Sequence, residues 1–368
     1  MKFFNTVLLN KNNLINNIKV IKNKAKNKKI CAMVKANAYN HNLKFVVLNL
    51  KNYVNFFGVV NSVEALKVRE LTHINKILLC GAYKKDELKE LILNNVSLTI
   101  FSLTQLKEIL KLCKELNFKA NVHIKINTGM NRYGVKDKSY LLKLLNFIKN
   151  NKDYINLEGI FSHFFNNENE NLCKNQYIKF LNYVNVIKNF MNKNSLNFSK
   201  VLIHIENSGG LFYSRDILNC CNMVRVGISL YGLENYCFKL KPVLSLKSKI
   251  VAIQKVKFDD YVGYGKTLIQ NEKKVGIIPI GYADGILKRY KDCFVKVEGK
   301  FCKILNVCMD CILVDISNTK AKTDSEVEII SSNPKDLNSA NYLSKYQNTI
   351  SYEIVTGLNY NRLNIKEI

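Results

Sequence analysis

Short apolar runs rich in β-branched residues alternate with longer amphipathic stretches through the first 235 residues. The apolar runs predict eight β-strands, over residues 30–35, 56–61, 77–81, 98–101, 122–127, 157–163, 201–206 and 223–230. The amphipathic stretches have apolar residues at helical spacing and predict α-helices, over residues 12–28, 62–71, 103–116, 139–150 and 172–192. Strands that alternate with helices are typical of βαβ units, which build a parallel sheet.

The number of strands and the length of this part favour one of two parallel folds. Eight strands in about 230 residues match a (β/α)8 barrel of the TIM type, and a doubly wound open sheet is the alternative. An open sheet that binds a dinucleotide carries Gly-x-Gly-x-x-Gly after its first strand, and no such motif follows residues 30–35. We therefore predict an N-terminal (β/α)8 TIM-like barrel over residues 1–235, within the α/β class.

The pattern changes after residue 235, where apolar runs follow one another with few helical stretches between them. These runs predict strands, over residues 244–254, 275–280, 294–298, 301–307, 312–316 and 326–330. A helical pattern returns only over residues 335–344. We therefore predict a C-terminal, mostly-β domain over residues 236–368.

Composition and charge narrow the class of protein. The 368 residues are 47% hydrophobic and 23% charged, which is the balance of a globular protein with a large core. The net charge is +27, but the excess consists of lysines scattered among asparagines. We interpret it as solvated surface, with non-specific binding of polyanions at low salt but no specific nucleic-acid partner. No apolar run approaches the roughly 18 residues of a membrane span, so we expect no membrane association.

The cysteines indicate a reducing compartment. There are 11 of them, an odd number without the regular spacing of a disulfide framework. Cys308 and Cys311 form a lone Cys-x-x-Cys in a predicted β-region, where residues i and i+3 point to opposite faces. We therefore expect no metal site here and a cytoplasmic location.

Lys35 ends the first predicted strand, after the apolar run Ile30 to Val34. The active-site groups of a barrel collect at the carboxyl ends of its strands. Burial there would disfavour the charged ammonium, lower the pKa of Lys35 and make its amine a nucleophile for carbonyl groups. The alternative is a lysine that simply reaches solvent, and position alone favours that alternative.

Other strand ends add polar groups to the same rim of the barrel. Arg132 lies in a glycine loop after the fifth strand, and His163 ends the sixth. Ser208 opens a helix with two glycines, which suits a phosphate, and Arg225 lies in the eighth strand. Each group alone has an ordinary explanation, such as a hydrogen-bonded core histidine or a plain helix cap. Together with Lys35 they suit pyridoxal phosphate, which presents an aldehyde, a phosphate and a ring.

Seven motifs, in order along the whole chain, resemble those of the alanine racemase family, which uses pyridoxal phosphate. The motif Ile-Gly-Tyr-Ala-Asp-Gly, which ends at Gly285, is the most specific of them. The seven motifs cover residues 32–39, 130–134, 224–232, 263–265, 280–285, 308–310 and 350–354.

The resemblance implies a role for each matching residue. Lys35 would bind the cofactor covalently and act as the base for D-alanine. Tyr264 would be the opposite base, for L-alanine, and would come from the other subunit of a homodimer with shared active sites. Arg132 would bind near the substrate, with Met309 and Tyr282 from that other subunit. The remaining cofactor-binding residues would be Tyr39, His163, Ser208, Arg225, Gly227, Ile228 and Tyr352.

The implied activity is the interconversion of L-alanine and D-alanine by two-base proton transfer, which would supply D-alanine for peptidoglycan. Two alternatives stay open at this point. One is a racemase with another or broader amino-acid preference. The other is a non-catalytic protein that binds pyridoxal phosphate, although such proteins usually end after the barrel and lack an equivalent of Tyr264.

The chain departs from the family pattern at several positions without losing a catalytic residue. Asparagines replace usual glycines in places, and Asn127 replaces a usual aspartate. Lys125, which is carbamylated in some family members, is present. The departures are Asn40, Asn42, Asn127, Asn131, Val226, Leu305 and Asn306.

Overall fold

The chain forms two units, a barrel unit and a β unit. The computed structural model describes residues 3–213, 220–234, 236–265 and 267–368. The barrel unit consists of Ile18–Ala38 and Asn42–Gly227, and the β unit consists of Met1–Asn17, Tyr39–His41 and Ile228–Ile368. The first strand, β1 (Thr6–Leu9), therefore belongs to the β unit.

The sheet of the barrel unit has eight strands, all parallel to their neighbours. They are β2 (Lys29–Met33), β3 (Phe56–Val59), β4 (Lys76–Leu79), β5 (Val96–Ile100), β6 (Ala120–Lys125), β7 (Ile155–Phe161), β8 (Leu202–His204) and β9 (Met223–Val226). Their order in the sheet is β8-β7-β6-β5-β4-β3-β2-β9. The ring closes between β9 and β8, where the Arg225 N–H donates to the Glu206 carbonyl at 3.0 Å. This confirms the predicted (β/α)8 barrel.

Helices connect the strands of the barrel, and all the amphipathic stretches predicted as helices are helical. Asparagine, serine and aspartate cap them, since their side-chain oxygens accept a backbone N–H of the first turn. The shorter helices α2, α3 and α5 were not predicted from the sequence, whereas α9 begins at Ser208, where a helix was expected. The helices are α1 (Lys11–Ala25), α2 (Lys35–Asn40), α3 (Leu43–Leu50), α4 (Ser62–Leu71), α5 (Leu88–Leu93), α6 (Leu103–Leu116), α7 (Lys138–Asn150), α8 (Glu170–Lys193) and α9 (Ser208–Tyr213).

The core of the barrel follows from the apolar strand sequences. Strands β3 and β5 are buried along their whole length, as expected for parallel strands covered on both faces. One layer of the core takes a residue from each of five strands: Cys31, Phe56, Leu78, Leu202 and Met223. The rigid cylinder that results fixes where each strand ends, and so where the polar residues at those ends lie.

The sheet of the β unit has nine strands, in the order β11-β12-β15-β14-β13-β16-β10-β1-β17. Besides β1 these are β10 (Leu244–Lys249), β11 (Ala252–Val256), β12 (Lys273–Ile278), β13 (Phe294–Val297), β14 (Lys300–Val307), β15 (Ile312–Asp315), β16 (Glu326–Ile330) and β17 (Asn364–Glu367). The helices of this unit are α10 (Ile228–Tyr231), α11 (Ala340–Tyr346) and α12 (Ser351–Thr356). The mostly-β character agrees with the prediction, but residues 244–254 form two strands instead of one.

The N-terminal strand β1 was not predicted, and it explains why the first residues belong to the β unit. It pairs antiparallel with β10 and parallel with β17. Val7 and Leu9 are fully buried, while the residues that alternate with them are partly exposed. The domain boundary at residue 235 stays a prediction. Within the described residues, every helix is too short or too polar to span a bilayer.

Asn17 provides a test of the packing in the β unit, because it is 0% exposed and its side chain makes hydrogen bonds to the backbone of Leu230 and Lys241. Its amide donates to the carbonyl oxygens of Leu230 and Lys241 at 2.9 and 2.7 Å, and its oxygen accepts the Lys241 N–H at 2.8 Å. We expect Asn17→Leu to lower the free energy of unfolding by about 3 kcal/mol, because it leaves buried backbone groups unpaired. Urea denaturation measures this.

The matched control is Asn12→Leu, at an exposed position of the same helix α1. This control should change the free energy of unfolding by no more than about 0.5 kcal/mol. Equal losses in the two variants would contradict the role of Asn17 in the packing.

Candidate active site

Lys35 begins a left-handed turn instead of ending the first barrel strand. Strand β2 ends at Met33, and α2 follows with φ values between 52° and 62°. A left-handed backbone costs roughly 1–2 kcal/mol for each L-residue other than glycine. The residues that carry these φ values are Ala36, Asn37, Ala38, Tyr39 and Asn40.

Hydrogen bonds on both sides stabilise the turn. In the barrel unit, the Ala38 N–H donates to the Val34 carbonyl at 2.9 Å, and the Asn37 side chain accepts the Leu43 N–H at 2.8 Å. In the β unit, the Asn40 amide donates to the carbonyl oxygens of two residues near α12, at 2.9 and 2.8 Å. The backbone that carries Lys35 is therefore held in a conformation that it would not adopt alone.

The surroundings of Lys35 favour its neutral amine. Burial first, and then the charge of Arg132, lowers the pKa of the Lys35 ammonium. Glu64 acts in the opposite direction, but its carboxylate also accepts the backbone N–H groups of Ala36 and Val60, at 2.6 and 3.2 Å. A lysine with a lowered pKa carries more free amine near neutral pH, which makes it a nucleophile and a base.

Positively charged groups converge near Lys35 at the carboxyl ends of the barrel strands. Burial, together with Arg132 and Arg225, lowers the pKa of Lys125 to about 8. Burial, and then Arg225 and Arg132, lowers the pKa of His163 well below its usual value, so His163 is neutral. This cluster fits an anionic ligand better than a cationic or an apolar one.

Arg225 is buried in β9 and has defined partners for both terminal nitrogens. One nitrogen, Nη1, donates to His204 Nδ1 at 2.5 Å and to the His204 carbonyl at 3.1 Å. The other, Nη2, donates to the Ser162 carbonyl at 2.6 Å and to His163 Nδ1 at 3.2 Å. The guanidinium also lies over the Phe161 ring, 5.0 Å from its centroid. The orientation of Arg225 is therefore fixed.

The structure brings together two of the residues expected at a phosphate in the barrel unit. The Gly227 N–H donates to the Ser208 hydroxyl oxygen at 3.1 Å. Ser208 opens α9, and the preceding Asn207 accepts the Gly210 N–H at 2.9 Å. These contacts fix the turn into α9 beside the end of β9.

Three further residues expected at the cofactor lie in the β unit. The Tyr39 ring is 5.1 Å from the Tyr231 ring and 5.9 Å from the Tyr352 ring, measured between centroids. Ile228 opens α10, the short helix that ends at Tyr231. Burial first, and then Glu234, raises the pKa of Tyr352 to about 12, so this hydroxyl keeps its proton.

Tyr264 lies in a loop of the β unit between β11 and β12. The flanking glycines Gly263 and Gly265 have φ values of 67° and 90°, which favour glycine. The Asn306 side chain, buried at the end of β14, donates to the Tyr264 carbonyl at 2.7 Å and to the Val262 carbonyl at 2.8 Å. Asn306 therefore holds the loop while the Tyr264 side chain stays 74% exposed.

Tyr282 and Met309 lie on two neighbouring loops of the same unit. The Tyr282 N–H donates to the Cys308 carbonyl at 3.1 Å, and the Ala283 N–H donates to the Met309 carbonyl at 2.9 Å. Gly281 allows this approach, because a Cβ there would lie 2.4 Å from the Cys308 carbonyl oxygen. The side chains of Tyr282 and Met309 are 44% and 57% exposed.

Most departures from the family pattern are accommodated by backbone geometry or by hydrogen bonds. Asn40, Asn42 and Asn131 have φ values of 62°, 62° and 56°, and asparagine tolerates this region better than other non-glycine residues. The Asn127 oxygen accepts the N–H groups of Gly129 and Asn131 at 3.0 and 3.2 Å. The loop that carries Arg132 is therefore held without a carboxylate at position 127.

Three buried polar residues of the barrel strands, His123, Glu158 and His204, were not predicted as site residues. The available signal was a polar residue inside an otherwise apolar strand, as at His123 between Val122 and Ile124. Such a residue needs a buried hydrogen-bond partner, which the sequence alone does not identify.

Comparisons with known proteins match both parts of the chain. The family profile described as alanine racemase, N-terminal domain, matches residues 9–235, and that of the C-terminal domain matches residues 243–365. Alanine racemase of Francisella philomiragia is 34% identical, over 96% of this chain and 98% of its own. Alanine racemase of Borreliella burgdorferi is 36% identical, over 96% of this chain and 94% of its own.

A solved structure of similar fold is that of alanine racemase from Bacillus anthracis with bound L-Ala-P. It has a TM-score of 0.89 at 27% identity, covering 100% of this chain and 96% of that one. These similarities support the racemisation of alanine. They give no support to a racemase of other specificity or to a non-catalytic protein.

The hydrogen bonds of Asn306 predict how the loop that carries Tyr264 responds when the Asn306 amide is replaced by a carboxylate. We expect Asn306→Asp to speed hydrogen–deuterium exchange over residues 259–269, because it removes two donors and places a carboxylate against two carbonyl oxygens. Mass spectrometry of that peptide measures the change. Asn318→Asp, an exposed position with the same change of charge, is the control. Unchanged exchange in Asn306→Asp would show that Asn306 does not hold the loop.

Proposed function

Because the chain belongs to the alanine racemase family and interconverts L-alanine and D-alanine, we propose that pyridoxal phosphate binds at Lys35 and that Tyr264 is the second base. The observation that carries this proposal is the surroundings of Lys35. Its amine has a lowered pKa and lies in a cluster of positive charge that suits an anionic cofactor. An amine for the aldehyde and cations for the phosphate and ring oxygens are what this cofactor requires.

Each group of residues has a place in the proposal. Arg225 would lie at the ring nitrogen of the cofactor, where its permanent charge would disfavour protonation of that nitrogen. Arg132 would lie on the substrate side of the cofactor. His163 would pack near the ring, and five residues would hold the phosphate. The residues proposed to hold the phosphate are Tyr39, Ser208, Gly227, Ile228 and Tyr352.

Racemisation requires a proton to leave one face of the substrate Cα and another to arrive at the opposite face. When bound, pyridoxal phosphate stabilises negative charge at Cα and so makes the Cα–H acidic. Lys35 Nζ takes or returns the proton on the face of D-alanine, and Tyr264 Oη does so on the face of L-alanine. Tyrosine hydroxyls have pKa values near 10 in water, so a tyrosine base requires positive charge beside it.

We further propose a homodimer in which the β unit of one subunit completes the barrel site of the other. The support is the family resemblance, together with the exposure of Tyr264, Tyr282 and Met309 in the single chain. The side chains of Tyr282 and Met309 would line the carboxylate side of the substrate. The product D-alanine would serve peptidoglycan synthesis, and the 11 cysteines, all free thiols, suit a cytoplasmic enzyme.

The attachment site gives the first test of this proposal. Borohydride reduces the bond between the cofactor and a lysine nitrogen and makes it permanent, so peptide mass mapping then locates it. We expect the adduct on Lys35 and none in Lys35→Ala. Lys125→Met is the matched control, since it removes the other lysine of the cluster and should leave the adduct in place. An adduct on any other lysine would overturn the assignment.

Exchange of the substrate Cα proton in deuterated water distinguishes the roles of the two proposed bases. In Tyr264→Phe, Lys35 still serves the face of D-alanine, so D-alanine should take up deuterium while L-alanine does not. Net racemisation must fall equally in both directions, because the enantiomers have equal free energies. Proton NMR of each enantiomer measures the exchange. Tyr261→Phe, in the same loop and similarly exposed, is the control, and deuterium uptake by L-alanine in Tyr264→Phe would contradict the assignment.

Mixing two inactive variants tests the shared site. Lys35→Ala and Tyr264→Phe chains that exchange subunits should regain up to about a quarter of wild-type activity, because half of the dimers are mixed and each has one intact site. Subunit exchange is shown separately by mass spectrometry with one variant isotopically labelled. If exchange occurs and no activity returns, each site is built within one chain.

A further inference from the structure

A row of polar side chains runs through the interior of the barrel, starting from Arg225. Arg225 Nη1 lies 2.5 Å from His204 Nδ1, and His204 Nε2 lies 2.9 Å from His123 Nδ1. His123 Nε2 lies 3.0 Å from Glu158 Oε2, and Lys76 pairs with the other oxygen of that carboxylate. All these residues are buried except Lys76, whose side chain is half exposed at the start of β4.

A bulge between β6 and β7 creates the contact between His123 and Glu158. Val122 pairs with Leu157, but His123 pairs with Gly159, so Glu158 is the extra residue. A Cβ on Gly159 would lie 2.4 Å from His123 Nδ1. The histidine ring therefore requires a glycine opposite it.

The order of donors and acceptors along the row has only one solution. A guanidinium can only donate, so His204 Nδ1 must be unprotonated and His204 Nε2 must carry the proton. His123 Nδ1 then accepts from His204, and His123 Nε2–H donates to the Glu158 carboxylate. In the reverse order, a protonated His204 Nδ1 would face the guanidinium. Both histidines are therefore neutral and donate in the direction of Glu158.

The charges at the two ends of the row agree with this order. Burial alone would raise the pKa of Glu158, but the hydrogen bonds that it accepts from His123, Lys76 and Ser97 hold that pKa below its usual value. Burial, and then the charge of Arg225, lowers the pKa of His204 well below its usual value. The row thus has a permanent donor at one end and a permanent acceptor at the other.

We propose that Glu158 and His123 are positioning residues for Arg225, because they fix the His204 tautomer that presents an unprotonated nitrogen to the guanidinium. Glu158 completes the order, because it accepts the His123 Nε2–H. Without Glu158, the wild-type order leaves that buried N–H without an acceptor in the row, and the reversed order places a proton against the guanidinium, so neither order satisfies every group and both are populated. A reversed bond would place a proton on His204 Nδ1 and turn the Arg225 guanidinium away.

The consequence for catalysis rests on the proposed function, in which Arg225 faces the ring nitrogen of the cofactor. The order of donors and acceptors along the row does not depend on the proposed function. If the adduct were found on a lysine other than Lys35 but both histidines carried their proton on Nε2, the proposed function would fail and this inference would stand.

The test is a long-range ¹H–¹⁵N NMR correlation on the full chain, loaded with cofactor and labelled with ¹⁵N only at its 5 histidines. Substitution of each histidine in turn assigns the signals. We expect His123 and His204 to carry the proton on Nε2. His41 is an internal reference of the opposite type, because its Nδ1 lies 2.8 Å from the Tyr39 carbonyl oxygen and must donate to it. A protonated Nδ1 on His204 in the wild-type protein would overturn the proposal.

Two variants of Glu158 test its positioning role. Glu158→Leu removes the acceptor, so we expect His204 to lose its single tautomer and show signals of both. Glu158→Gln keeps an oxygen that can accept from His123, so we expect the wild-type tautomers to be restored. Should Glu158→Leu fail to fold, Glu158→Asp replaces it, since its shorter side chain withdraws the carboxylate from His123 Nε2 and should produce the same mixture.

The matched control is Glu206→Leu, which also removes a buried glutamate of the barrel and its pairing with a lysine, Lys28. This control should destabilise the protein but leave the tautomers of His123 and His204 unchanged. A wild-type tautomer pattern in a folded Glu158→Leu or Glu158→Asp variant would overturn the proposal. The same would follow if Glu206→Leu showed as much of the second His204 tautomer as the Glu158 variant.

Discussion

The parallel pairing of eight strands is the constraint on which the rest of this molecule depends. A closed parallel sheet has all its carboxyl ends at one rim, so residues far apart in sequence become neighbours there. Lys35, Lys125, His163 and Arg225 follow or lie in four different strands, and the charges of the two lysines and of Arg225 all lower the pKa of His163. Burial of several positive charges together is costly unless an anion joins them, and this cost favours an anionic ligand at the rim.

The left-handed turn after Lys35 has a similar origin in tertiary structure. A run of non-glycine residues with positive φ is unfavourable on its own, so the surrounding hydrogen bonds must hold it. Asn40 contributes two of these bonds within the β unit, through carbonyl oxygens of Val355 and Leu358. The conformation of Asn40 therefore depends on residues more than 300 positions away along the chain. Hydrogen bonds that are distant in sequence, as well as local ones, stabilise the turn.

The sequence was sufficient for the barrel and for most of its helices, because apolar runs and amphipathic stretches have different periods. The sequence did not predict strand β1, because its four residues are recognised as a strand only by their pairing with β10 and β17. It also did not show the turn at Lys35, because asparagine favours only single left-handed residues, and alanine and tyrosine carry no left-handed signal. The contact of His123 with Glu158 could not be predicted from the sequence either, because it depends on a bulge in the pairing of β6 with β7.

The asparagines that depart from the family pattern affect the site in two ways. Some of them occupy backbone positions with positive φ, and one of them replaces a negatively charged side chain. Asn40, Asn42 and Asn131 have a positive φ, which asparagine tolerates better than other non-glycine residues. Asn127 keeps an acceptor for the loop that carries Arg132 but has no negative charge. The charges of Lys125 and Arg132 are therefore less neutralised by the protein itself. More of that neutralisation is left to whatever binds at the rim, and this strengthens the argument for an anionic cofactor there.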